Sequence, residues 1–97
     1  MQIVKLCPEC KDNIWGGTKL KDIYGKKTDK DIVAESWELS YHKDGVTKTE
    51  DGSPLPEVLN AADIGTNCDS FSFFPVLIKF IDAREYLSVQ VHPSDSY

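Results

Sequence analysis

Residues 74–92 read FPVLIKFIDAREYLSVQVH, and this stretch predicts two β-strands joined by a short connection. Residues 74–81 are apolar except for Lys79, which is typical of a buried strand. Residues 82–86 have the length of a hairpin loop. Residues 87–92 alternate between apolar and polar side chains, as expected of a second strand with two different faces.

The polar face of this second strand carries Ser88, Gln90 and His92, because side chains alternate between the two faces of a strand. An amide oxygen and an imidazole nitrogen two residues apart can bind one cation, as two corners of an incomplete site. An ordinary solvated surface explains the same pair, and zinc needs three or four ligands. The pattern alone leaves both interpretations open.

Lys79 interrupts an apolar strand, and burial of an unpaired ammonium group is costly. In a hairpin register that places Lys79 opposite Gln90, the lysine side chain enters the same cavity as the polar face. A register shift of one residue turns the lysine to the other face. A lysine that protects a sheet edge from aggregation is equally compatible with the pattern.

The remaining sequence predicts further β-structure and two short helices, without internal repeats. These predictions rest on alternation, on Gly and Asp-Gly turns, and on Thr18 and Ser53 as helix caps. The predicted elements are an edge strand at 1–6, a helix at 18–25, a half-buried strand at 34–41, a strand at 46–49 that pairs back, and a helix at 53–62.

The composition limits the classes of partner. The chain has 97 residues and a net charge of −5, which suits one domain or part of one and argues against nucleic acid or an anionic membrane as the main partner. The longest apolar run, residues 73–78, is far too short to cross a bilayer. The opening residues do not resemble a secretory signal, so a cytoplasmic location is expected.

The three cysteines are expected to be unpaired thiols in a reducing compartment. Cys7 and Cys10 form a CxxC motif, which can indicate a zinc ribbon or a redox site. A ribbon would need a second ligand pair where only Cys68 is present, and a redox motif would need a helix directly after it. The spacing is therefore interpreted as coincidence.

Four sequence blocks, in this order and spacing, resemble the type I mannose-6-phosphate isomerases, in particular their short bacterial form. They are IWGG at 14–17 with Lys19-Leu20, ESWELS at 35–40 with His42, FPVLIK at 74–79, and LSVQVHP at 87–93. The similarity extends from about residue 6 to residue 97. One departure is Ala34, which occupies a position where the family usually has glycine.

The resemblance implies a mainly β, cupin-type (jelly-roll) barrel that interconverts mannose 6-phosphate and fructose 6-phosphate with one zinc ion. It implies that Gln90 and His92 are the first two zinc ligands, and that Lys79 and Ser88 bind oxygens or the phosphate of a small-molecule sugar phosphate. Trp15 and Glu38 fall in blocks near the pocket, with no role assigned.

The remaining zinc ligands and the catalytic base are expected beyond residue 97. Residues 1–97 are therefore expected to be the N-terminal portion of the isomerase domain, truncated after the first two ligands and inactive alone. Two alternatives stay open: a non-catalytic sugar-phosphate-binding or regulatory cupin, and an interaction module. Exposed strand edges also predict self-association of the chain by strand exchange.

Overall fold

A computed structural model of the chain describes residues 3–68, 71, 73–87, 89, 91 and 94. It confirms a mainly β chain with two short α-helices. The elements are β1 (Leu6–Cys7), β2 (Glu9–Lys11), α1 (Lys19–Asp22), β3 (Glu35–Leu39), β4 (Lys48–Thr49), α2 (Leu55–Val58), a 3₁₀ helix (Thr66–Cys68) and β5 (Ile78–Ile81).

The strands form two small antiparallel sheets. One sheet pairs β1 with β4, and the other has the order β2-β3-β5, so β3 is its central strand. The cupin-type fold predicted for the chain is consistent with these sheets. They do not close into a barrel within the described residues.

Strand β3 confirms the strand predicted at 34–41, with shorter bounds. Its more buried face is lined by small polar side chains, since Ser36 and, just after the strand, Ser40 are both 0% exposed. Burial of these hydroxyl groups is tolerated because they are hydrogen-bonded. The Ser36 hydroxyl donates to Glu38 at 2.7 Å, and Ser40 Oγ accepts from the backbone N–H of His42 at 3.0 Å.

The segment after β3 turns where the Asp44-Gly45 pair predicted it. The Gly45 N–H donates to the His42 carbonyl at 3.0 Å, and the Thr47 N–H returns to the Ser40 carbonyl at 2.9 Å. The strand that follows, β4, then pairs with β1 and not with β3. The segment predicted to pair back, residues 46–49, therefore does so only through the hydrogen bond from Thr47 to Ser40.

Both helices are shorter than the sequence predicts. Helix α1 ends at Asp22, and Gly25, at φ +69°, turns the chain away three residues later. Helix α2 ends at Val58 because its C-cap residue, Leu59, is already extended at ψ 146°. Thr18 occupies the N-cap position of α1 without a side-chain capping bond, so this helix start lacks its usual stabilisation.

The buried core is small, and the molecule is flat. Among the described residues, the buried apolar side chains are those of Cys10, Leu20, Val33, Ala34 and Leu55. The radius of gyration is 15.2 Å, whereas a compact chain of this length would have about 12.5 Å. The principal extents of 40 × 38 × 17 Å describe a plate.

The prediction of a buried strand at 74–81 is wrong in two respects. Within residues 74–81, regular β-structure is confined to β5. All four residues of β5 are exposed, with Ile78, Phe80 and Ile81 at 47–52%. Strand β5 pairs with β3 along one edge, but neither of its faces is covered enough to bury these side chains. An apolar run indicates burial only where another layer packs against it.

The second strand, predicted at 87–92, is not formed at its described residues. Leu87, Val89 and Val91 lie outside any strand, and the two valines are 96% and 91% exposed. Without burial, alternation alone does not stabilise a strand. The predicted pairing of Lys79 with Gln90 falls outside the described residues. Within the described part of the chain, every helix is too short or too polar to cross a membrane.

Candidate functional site

Lys79, the described member of the predicted site, lies on β5 directly opposite Trp37 of β3. Glu35 precedes Trp37 by two residues and therefore projects from the same face of the sheet. Lys79 and Glu35 are diagonal neighbours across the two strands, within reach of long side chains. The Lys79 Nζ lies 2.7 Å from Glu35 Oε1.

The indole of Trp37 lies beside this ion pair. Its Nε1–H donates to Glu35 Oε1 at 3.4 Å, and the Lys79 Nζ is 6.0 Å from the ring centroid. Lys11, on the neighbouring strand β2, places its Nζ 4.9 Å from the same ring. Cation–π attraction contributes about 0.5–1 kcal/mol for exposed pairs of this kind.

Charge is balanced on this side of the sheet. The register pairs Glu9 with Trp37 and Lys11 with Glu35, so two carboxylates and two ammonium groups lie on the same face of the sheet as the indole. We call the set Glu9, Lys11, Glu35, Trp37 and Lys79 the Trp37 face. Its formal charge is zero, Lys79 forms an ion pair with Glu35, and Lys11 lies opposite the same Glu35 in the strand register.

The turn after β3 fixes the indole. His42 meets the Trp37 ring edge-on, with ring centroids 5.8 Å apart. A Cβ atom on Gly45 would come within 2.7 Å of Trp37 Cε3, so only glycine lets the turn approach the ring this closely. The Lys11 Nζ donates to the Asp44 carbonyl, which ties β2 to the same turn.

The opposite side of the sheet carries Glu38, which the sequence resemblance predicted to lie near the pocket. Glu38 accepts from Lys26 at 2.8 Å, and the Lys26 Nζ lies 5.4 Å from the Phe80 ring. Cys10 lies on this side too, where burial raises the pKa of its thiol. Glu38 and Lys79 therefore project from different sides, and Glu38 is not brought together with the candidate site.

Trp15, also predicted to lie near the pocket without an assigned role, forms hydrogen bonds to the segment that follows β5. Its carbonyl accepts from the N–H groups of Arg84 at 2.8 Å and Glu85 at 3.1 Å. Gly17 donates to the Asp82 carbonyl at 3.1 Å, and the Asp82 side chain accepts from the Lys19 N–H at 2.9 Å. The IWGG block thus positions the segment directly after β5, three to six residues beyond Lys79.

Ser88, Gln90 and His92 lie outside the described residues. Their convergence on a cation stays a prediction. Across the described ranges, no group of three or more histidine, cysteine, aspartate and glutamate side chains is placed to hold a metal ion.

The two cysteines of the CxxC motif lie in different surroundings. Cys7 is exposed on β1, Cys10 is buried on β2, and these strands belong to different sheets. Strand β2 contains Cys10 and ends at Lys11, and the first helix begins only at Lys19, whereas a redox site would have a helix directly after the motif. Cys7, Cys10 and Cys68 are all free thiols.

Glu35 is the site residue that the sequence analysis missed. The alternation of β3 already placed Glu35 and Trp37 on one face, because they are two residues apart. The missing information was that β5 pairs with β3 in the register that sets Lys79 opposite Trp37. No local pattern specifies the register between strands about 40 residues apart in the chain.

Comparison with known proteins gives a consistent result. Residues 3–97 match the family model of the phosphomannose isomerase type I catalytic domain. A Bacillus subtilis protein named "Probable mannose-6-phosphate isomerase" is 36% identical over 95 residues, covering 93% of this chain and 30% of the relative. The mannose-6-phosphate isomerase of Streptococcus mutans is 37% identical over 89 residues, covering 87% of this chain and 28% of the relative. No solved structure matches the chain.

The described residues form a mainly β structure whose larger sheet carries a lysine–carboxylate pair beside an indole. By its sequence, the chain belongs to the type I phosphomannose isomerase catalytic-domain family. It spans about 30% of the length of the curated relatives that it matches.

Proposed function

We propose that this chain forms one wall of the active site of a zinc-dependent aldose–ketose isomerase that interconverts mannose 6-phosphate and fructose 6-phosphate. The observation that carries the proposal is the family match over residues 3–97, whose relatives are named mannose-6-phosphate isomerases. The fixed position of Lys79, on a strand next to Glu35 and Trp37, supports it.

The proposed zinc ligands in this chain are Gln90 and His92. The chemistry of the two donors suits the metal, because zinc accepts imidazole nitrogen together with oxygen ligands and needs three or four in total. The other ligands would come from outside this chain. When bound, zinc would supply positive charge that stabilises the oxygen on which charge develops during isomerisation.

The residues of the chain itself would bind and orient the sugar. Lys79 donates hydrogen bonds from an ammonium that Glu35 holds in place, and Ser88 is proposed to bind a second substrate oxygen. Isomerisation moves a proton between neighbouring carbons, so a general base is also required. We place that base outside the chain, and we expect the 97 residues alone to be inactive.

Complementation tests this proposal directly. The chain is assayed for zinc content and for fructose 6-phosphate formation from mannose 6-phosphate, alone and mixed with the part of the Streptococcus mutans relative that follows the matched region. We expect activity and about one zinc only in the mixture. Turnover by the 97 residues alone would refute the assignment of the missing groups, and an inactive mixture with bound sugar phosphate would favour the non-catalytic cupin.

Matched variants assign the ligands. His92→Leu and Gln90→Leu should each lower the zinc affinity of the mixture by about tenfold or more, and its zinc content should fall accordingly. The control is His42→Leu, which removes the other histidine of the chain and should leave zinc content unchanged. Equal loss of zinc from His42→Leu and His92→Leu would exclude His92 as a specific ligand.

Self-association of the chain alone is a further part of the proposal. Ile78, Phe80 and Ile81 are exposed on a strand at the edge of the described sheet, and such edges pair with other chains. Sedimentation velocity should show oligomers of the chain that disappear when the complementing polypeptide is added. Oligomers that persist in the active mixture would show that another surface is responsible.

A further inference from the structure

We propose that Lys79 and Glu35 act together as a hydroxyl-binding pair for the sugar, that phosphate is bound elsewhere, and that Glu35 determines this preference. The inference rests on the proposed function and deepens it. It assigns a role to Glu35 and chooses between the two roles, substrate oxygens or phosphate, that family resemblance leaves open for Lys79.

Charge is the first argument. A phosphate dianion needs net positive charge at its site, and the Lys79 Nζ lies 2.7 Å from a carboxylate oxygen that cancels its charge. Any anion that contacts this ammonium also meets the like charge of Glu35 at short range, which disfavours binding. Lys11 does not make up the difference, because its ammonium bonds to the Asp44 carbonyl and lies over the indole.

Hydrogen-bonding capacity is the second argument. A sugar hydroxyl both donates and accepts, so it fits best where a donor and an acceptor lie side by side. The Lys79 ammonium has three N–H donors, and one of them serves Glu35. The Glu35 carboxylate accepts from Lys79 and from the Trp37 indole through Oε1, while a carboxylate has about four acceptor positions.

Access and surroundings give the third argument. The Lys79 side chain is 37% exposed and that of Glu35 is 18% exposed, so a ligand can reach the pair without displacing it. The partly exposed Trp37 ring lies beside the pair, with the Lys79 Nζ 6.0 Å from its centroid. The contacts from His42 and Gly45 hold that ring in place before any ligand binds.

The test compares a neutral and a charged probe on the 97-residue chain. D-mannose and inorganic phosphate are titrated separately, and binding is followed by the NMR signals of the Glu35 and Lys79 side chains and the Trp37 indole. In the wild-type chain, mannose should shift all three, and phosphate should bind at least about fivefold more weakly. A wild-type chain that prefers phosphate, or that shows no mannose shift at the pair, would overturn the proposal.

Variants separate a specificity role from a structural one. Glu35→Gln frees the ammonium from its counter-charge, so mannose affinity should fall about fivefold while phosphate affinity rises by a similar factor. Lys79→Met should lower affinity for both probes, and Glu57→Gln on the exposed surface of α2 should change neither. A structural role alone would move both affinities of Glu35→Gln in the same direction, which would refute the inference.

The isomerase assay of the complemented mixture keeps the two proposals apart. An inactive wild-type mixture together with the inverted probe preference of Glu35→Gln refutes the isomerase and supports the hydroxyl pair. An active mixture in which Glu35→Gln leaves the mannose-to-phosphate preference unchanged refutes the hydroxyl pair and supports the isomerase.

Discussion

Gly16→Ala should destabilise the fold because of one close backbone contact. A Cβ atom at residue 16 would lie 2.6 Å from the Cβ of Ala34 and 2.7 Å from its Cα. Two of the three nearest atoms belong to the backbone, so the contact cannot be relieved by rotating a side chain. Overpacking of this kind costs about 1–3 kcal/mol in the free energy of unfolding.

The contact lies where three segments meet. Gly16 pairs with Ala83, and the Asp82 N–H donates to the Ala34 carbonyl at 2.9 Å, so the strain falls on the end of β5. Ala34 carries the methyl group on the other side of this contact. Exchanging the two residues should therefore move the methyl group from one side of the contact to the other.

A double-mutant cycle measures this coupling, with urea unfolding followed by tryptophan fluorescence. Ala34→Gly alone should cost about 1–2 kcal/mol, from the lost buried methyl and the greater backbone freedom of glycine. The double variant should be no less stable than Gly16→Ala, which gives a coupling of at least about 1 kcal/mol.

Gly25→Ala is the control for the cycle. Residue 25 has φ +69° with no atom within 4 Å of its added Cβ, so alanine there is strained without a clash. Ala34→Gly should not rescue it. Additive effects of Gly16→Ala and Ala34→Gly, within about 0.5 kcal/mol, would refute the steric argument.

Three further predictions concern the charged and titrating groups. Burial raises the pKa of the Cys10 thiol above 9.0, so the folded chain keeps a proton that the unfolded chain releases, and stability should fall as the pH rises above 9.0. A pH slope as steep in Cys10→Ala as in the wild-type chain would refute this. Hydrogen bonds from the Thr49 hydroxyl and the Ser53 backbone N–H hold the pKa of Asp51 below 3.8. Thr49→Val should therefore raise the midpoint of the Asp51 titration measured by NMR. An unchanged midpoint would exclude the hydroxyl as the cause. Lys26→Met should lower the free energy of unfolding by about 1 kcal/mol, because it leaves the half-buried Glu38 carboxylate without its cation. The control Lys27→Met, at an exposed position, should have no measurable effect. Equal effects of the two variants would show that the ion pair contributes nothing specific.

Local patterns located β3 and the turn after it, but they misjudged the extent of other local elements. The alternation in residues 34–41 identified β3, and the Asp44-Gly45 turn was confirmed by its hydrogen bond. Helix lengths were overestimated because apolar spacing suggested longer segments than the packing supports. Isolated helices of so few residues have little stability of their own and end where tertiary contacts end.

The sequence patterns did not predict features that depend on contacts between distant segments of the chain. The apolar run at 74–81 was expected to be buried, yet Ile78 and Phe80 are about half exposed. Burial depends on a second layer, and the plate is only 17 Å thick. The pairing of Lys79 with Glu35 depended in the same way on a strand register, which local patterns do not determine.

The flat shape and the neutral Trp37 face together constrain how a complete active site is assembled. A small-molecule site encloses about 70–90% of its ligand, whereas the described residues provide a single wall. That wall supplies hydrogen-bond donors and acceptors without net positive charge. If the proposed function holds, the cationic groups that bind the phosphate of the sugar must lie away from the Trp37 face, on another wall of the site. A complemented enzyme in which Lys79→Met abolishes inhibition by inorganic phosphate, while inhibition by mannose persists, would contradict this division between the two walls.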